Sequence, residues 1–98
     1  MIKNPNLTTF WFEFADSDQN AIPATCRYGV GITAESDKDA FFLLQHGPFK
    51  GNKPPTPSVF KRAVKIDDLD QNHVVPNMKP MVFRGVWFPI GYFEDIAP

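Results

Sequence analysis

The clearest periodicity lies near the start of the chain. Phe10, Phe12 and Phe14 alternate with Trp11 and Glu13, the period of two that marks a strand with one apolar face. The Phe face points to a core, and the Trp11/Glu13 face is expected to be only partly covered. A second strand is predicted over 24–33. There Cys26, Tyr28, Val30 and Ile32 share one face, with Arg27, Gly29 and Gly31 on the other. Two glycines on one face leave that face without side chains, so another group is expected to lie close to its backbone. Asp16, Ser17, Asp18, Asn20 and Pro23 between the two segments form turns, which predicts an antiparallel hairpin.

The pattern then changes period. Ala40, Phe41, Leu43 and Leu44 fall at helical spacing. Ser36 stands at the N-cap position, Asp37 and Asp39 lie in the first turn, and Gly47-Pro48 stops the helix. After a proline-rich loop, 58–66 reads as a third strand. Phe60, Arg62, Val64 and Ile66 lie on one face and the largely basic Val59, Lys61, Ala63 and Lys65 on the other, as near a sheet edge. A single helical turn is expected at 68–72, followed by turns at Pro76-Asn77 and Lys79-Pro80. The fourth strand, 81–88, is apolar on both faces apart from Arg84, which predicts a central position.

These elements predict an α+β fold, a single helix packed on a mainly antiparallel sheet of about four strands, in the order β-β-α-β-β. If the second and third strands are neighbours, the helix makes a right-handed crossover between parallel strands. One domain over 1–98 is expected, with 1–6 and 93–98 as flexible ends.

Composition narrows the classes of function. The chain has 98 residues, 43% hydrophobic and 21% charged, with ten Phe and ten Pro, which fits one globular domain and favours strands and turns over a helical bundle. A net charge of -1 gives no basic footprint for nucleic acid or an anionic membrane. No window reaches the length of a membrane span, and the N-terminal segment lacks a signal-peptide core. Cys26 is the single cysteine, so no internal disulfide forms, and a reducing, cytoplasmic location is the expectation.

Candidate chemistry is sparse. Asp16-x-Asp18-x-Asn20 and Asp68-x-Asp70-x-Asn72 open like calcium loops, but Ala21 and His73 stand where such a loop needs Gly, and Arg27 and Lys79 where it needs Glu. Turn and capping roles are expected instead. His46 and His73 have no metal-ligand spacing. Cys26 alternates with core residues and reads as buried and inert. No phosphate-binding or nucleophile-elbow motif is present. No metal and no cofactor is therefore expected.

Trp, Tyr and Arg dominate protein interfaces. Trp11, Glu13, Asp68, Asp70, Trp87 and Tyr92 accordingly form the candidate partner-binding set. Arg84, the one charge within the most apolar strand, requires a carboxylate if buried, with Glu13, Asp67 or Asp68 as candidates. His73, Asn77 and Arg84 form the alternative, a pocket of a small enzyme or ligand-binding domain.

The stretch from His73 to Pro80 and Arg84 to Pro89, with Phe10 to Phe14 and Gly31 to Ala34 upstream, resembles a group of short bacterial proteins with an H-V-x-P-N-M-x-P and R-G-[IV]-W-F-P pattern. The resemblance brings no activity with it. Small proteins of this build are common among toxin-neutralising immunity proteins. The reading that follows is a non-enzymatic protein-binding module, an immunity-type inhibitor of a cognate bacterial toxin or enzyme, acting through a protein partner. The alternatives are the small enzyme above and a structural homodimer joined through an uncovered sheet face. Either a monomer or a homodimer is compatible with the chain.

Overall fold

The structure, a computed structural model, describes residues 7–89. The expected end segments 1–6 and 93–98, and Tyr92, lie outside the described residues. The fold is α+β, with four strands and one helix: β1 (Thr8–Glu13), β2 (Val30–Ala34), α1 (Asp37–His46), β3 (Val59–Arg62) and β4 (Gly85–Phe88). The sheet order is β3-β1-β2-β4, and each neighbouring pair is antiparallel.

This order leaves the condition for a parallel crossover unmet and corrects one expectation. β2 and β3 are not neighbours, so α1 carries the chain past β1 and no parallel pair forms. β4 lies at an edge of the sheet, not at its centre. Its apolar character on both sides reflects cover above and below, not strands to left and right.

The strands are also shorter than the alternation suggested, for local backbone reasons. Residues Ala24–Cys26 form a 3-10 turn, and Gly29 follows at φ 117°. An extended chain cannot run through that left-handed geometry, so β2 begins only at Val30. Tyr28 is thereby moved off the core face and is 46% exposed. Ala63 at φ 54° ends β3 in the same way. Beyond it Val64 joins the opposite face of the sheet from Phe60, and Ile66 is exposed. Residues 81–84 bend rather than extend. The single helical turn expected at 68–72 lies two residues later, where the Val74 amide donates to the Asp70 carbonyl at 3.1 Å, and 3-10 turns at Ile66–Asp68 and Val75–Asn77 flank it.

α1 forms as its caps dictate. The Ser36 hydroxyl accepts the Asp39 amide at 3.1 Å, and the Gly47 amide donates to the Leu43 carbonyl at 2.9 Å. Its buried face, Ala40, Leu43 and Leu44, packs on a cluster that includes Phe10, Phe12, Val30, Ile32 and Val86. The opposite face of the sheet is covered by the irregular chain of 63–84. There Trp11, Trp87 and Phe88 cluster with Val64, Leu69 and Val74. Both sheet faces are thus occupied, and the uncovered face on which the homodimer reading depended is absent among the described residues. No helix there is long and apolar enough to cross a membrane.

Candidate functional site

The two tryptophans of the candidate interface are structural. Trp87 is fully buried and Trp11 is 5% exposed, so neither offers its ring to a partner. Their position answers what lies against the paired glycines. A Cβ on Gly31 would stand 2.2 Å from the Trp87 ring, and one on Gly29 would stand 2.3 Å from that of Trp11. The two indoles are 6.1 Å apart and stacked, lying on the side of β2 that glycine leaves bare. Trp11 reaches it from regularly paired β1, and a β-bulge in β4 aims Trp87 there. Gly31 pairs with Phe88 and Ile32 with Val86, leaving Trp87 as the extra residue, so Trp87 and Phe88 enter the same cluster.

Both indole N–H groups are satisfied. Trp87 Nε1 donates to Thr33 Oγ1 at 3.1 Å, and that hydroxyl donates to the Met81 carbonyl at 2.6 Å. Trp11 Nε1 donates to Glu13 Oε2 at 2.8 Å. Glu13 is exposed, but it serves Trp11.

Arg84 finds a carboxylate outside the three anticipated. Its Nε donates to Asp39 Oδ2 at 2.9 Å, and its Nη2 to Asp39 Oδ1. The Arg84 hydrogen bonds hold the Asp39 carboxyl below its ordinary range, and Asp39 in turn raises the Arg84 guanidinium. Arg84 therefore clamps the start of the helix. His73 and Asn77 do meet, since the Asn77 side-chain amide donates to the His73 carbonyl at 3.0 Å. Arg84 is not with them, and none of the described cavities is lined by His73 or Asn77.

The acidic turns are built by their own backbone. Asp68 Oδ2 accepts the Lys65 amide at 2.9 Å. Asp70 Oδ1 accepts the amides of Asn72 and His73 at 2.8 and 3.0 Å. These bonds, that from Asn72 foremost, keep the Asp70 carboxyl below its ordinary range. Cys26 is buried, which pushes its thiol up to about 11 and keeps it protonated. Among the described residues no group of three His, Cys, Asp or Glu side chains is placed to hold a metal ion.

What the fold does assemble at the surface is an aromatic pair. The Tyr28 and His73 rings stack with centroids 4.7 Å apart and planes 15° apart. Arg27 Cζ lies 5.6 Å from the Tyr28 centroid. Asp70 Oδ2 holds His73 Nδ1 at 3.0 Å, with both side chains about half exposed. Tyr28 comes from the turn before β2 and His73 from the loop 45 residues later. No family model matches this chain, nor does any curated protein or solved structure.

Of the residues anticipated for partner binding, Asp68 and Asp70 remain exposed and belong to the loop that carries His73. Tyr28 and Arg27 were missed because alternation with Cys26 and Val30 placed Tyr28 inward. Gly29 is the signal that could have found them, since glycine readily takes the positive φ that interrupts an extended run.

Proposed function

We propose that the chain is a non-enzymatic protein-binding module, an immunity-type inhibitor that docks a basic surface of a cognate bacterial toxin or enzyme. The Tyr28–His73 stack carries this reading. Two exposed rings already held face to face lose little freedom when a partner covers them. Tyr and Arg are residue types that concentrate binding energy, and Arg27 flanks the stack. Asp67, Asp68 and Asp70 line the adjoining loop and are exposed, which suits a partner surface rich in Lys and Arg.

The test is site-directed photocrosslinking in native cell extract, with the reactive group at Tyr28 or, as control, at Lys38. An adduct formed only from position 28 supplies the partner for titration. Tyr28→Ala, with melting temperature unchanged, and Asp70→Asn should each weaken that complex about tenfold or more, equal to about 1.4 kcal/mol. Equal crosslinking from both positions, or unaltered affinity in both variants, overturns the proposal.

One observation favours the enzyme reading. The Asp70–His73 pair is the geometry that orients a general base, and no described residue engages His73 Nε2. None of the described cavities is lined by His73, and the Tyr28–His73 stack and its acidic loop suit a partner surface, which is why the binding reading leads.

A further inference from the structure

The outer edge of β3 is open among the described residues. Ala63 donates its amide to the Thr9 carbonyl at 2.7 Å, and β3 pairs with β1 through Trp11↔Lys61 and Glu13↔Val59. Antiparallel pairing alternates, so Lys61 and Val59 bond inward to β1. The amides and carbonyls of Phe60 and Arg62 then point away from the sheet. No described strand takes them up, because β3 ends the sheet order.

A groove of about 430 Å³ borders this strand on the helix side. Phe41 and Phe60 line it together with Pro54, Pro55, Pro57 and Lys53. The rings of Phe41 and Phe60 are 5.1 Å apart and tilted, and Phe60 also packs against Phe12 at 5.0 Å. The floor is therefore fixed by the core. On the other side of β3, Lys61 is exposed and forms no ion pair among the described residues.

We propose that this edge accepts an extended peptide segment of a partner protein, one that alternates apolar and acidic residues. The backbone at Phe60 and Arg62 supplies main-chain hydrogen bonds, as in β-strand addition. Side chains of the added strand alternate between the two faces. Those on the Phe60 side enter the Phe/Pro groove and are apolar. Those on the Lys61 side meet an unpaired ammonium and are acidic. A second copy of the chain is the wrong occupant. Pairing β3 with itself would set Lys61 and Arg62 of one molecule against those of the other, and edge lysines are a common defence against such self-pairing. This surface is separate from the Tyr28–His73 stack and does not rest on it.

The probe is a blocked hexapeptide of alternating Glu and Leu, compared with a Lys-and-Leu counterpart and a Glu-and-Leu version N-methylated at alternate amides. Titration into the ¹⁵N-labelled full chain should shift the Phe60 and Arg62 amide signals and slow their exchange. The Lys peptide and the N-methylated peptide should leave them in place. Lys61→Glu should weaken the Glu peptide about tenfold and admit the Lys peptide. The proposal is overturned by absence of binding at millimolar peptide, by shifts confined to other residues, or by affinities indifferent to Lys61→Glu. Concentration-dependent shifts at Phe60 without peptide would overturn the occupant in favour of a second copy.

Discussion

On the helix-covered face, Leu43 and Leu44 of α1 share a cluster with Phe10, Phe12, Val30 and Ile32. Every one of these side chains is hydrocarbon, and none needs a hydrogen bond. On the opposite face, two indoles lie against two glycines under a lid of turns, and each indole N–H requires an acceptor. The first face is filled by a regular element whose spacing repeats. The second is filled by shape, with bare backbone below and a Thr33 hydroxyl placed to take the Trp87 proton. One sheet therefore carries two cores that obey different rules. A helix tolerates exchange among similar apolar side chains, whereas a slot cut for one ring does not.

The largest test of this contrast is Trp87→Ala. It should lower stability by about 3–5 kcal/mol, a large share of the roughly 5–15 kcal/mol of a whole domain, as read by urea denaturation. Leu43→Ala should cost about 2–5 kcal/mol on the other face. If Trp87→Ala costs under about 1 kcal/mol, the loop-covered face is a skin and not a core.

Next in size is Gly31→Ala, which forces a methyl group into the Trp87 ring. The expected cost is about 1–3 kcal/mol. Combining it with Trp87→Phe should recover part of that loss, because the smaller ring makes room, so the double variant would be less harmed than the sum. Strict additivity would show that ring and glycine are not in conflict, and the slot description would fail.

The smallest effect distinguishes the polar ties of the two faces. Arg84→Met should cost about 1 kcal/mol, between an exposed ion pair and a hydrogen bond to a buried charge. It should also change the acid profile. Because Arg84 depresses the Asp39 pKa below 3.8 in the folded chain, the resulting stability is present above 3.8. It is lost as pH falls through the lower folded value. The Arg84→Met variant should show a shallower loss over that acid window, followed by circular dichroism. An unchanged slope would mean that Asp39 is held by the Glu35 amide alone.

How much of this was legible follows the same division. The Phe10/Phe12/Phe14 alternation and the Ser36-to-Gly47 helix could be read because periodicity and caps are local properties. The bare glycine face of β2 was legible too, as a vacancy awaiting something. What filled it was not. The bulge at Trp87 depends on the register between strands 50 residues apart, and no pattern within either strand encodes it. Arg84 likewise meets Asp39 because β4 runs beside β2 and the helix begins where β2 ends. Tyr28 was misplaced because alternation assumes an extended chain, and Gly29 interrupts it. At the candidate site, the acidic loop was visible as composition, but the Tyr28–His73 contact exists only in three dimensions.

The first turn of α1 has a mechanical meaning as well. Asp37 and Asp39 are two residues apart, so they project about 200° from each other around the helix axis. Asp37 takes Arg62 at the end of β3, and Asp39 takes Arg84 just before β4. Those are the two margins of the sheet, and both contacts fall at the same end of it, beside Phe10 and Thr33. The helix start thus acts as a crossbar, tying together outer strands that never touch. At the far end, where Glu13, Val30 and Phe88 lie, no such tie joins the margins among the described residues. The described sheet is fastened like a clasp along one side, and strand separation should start from the other.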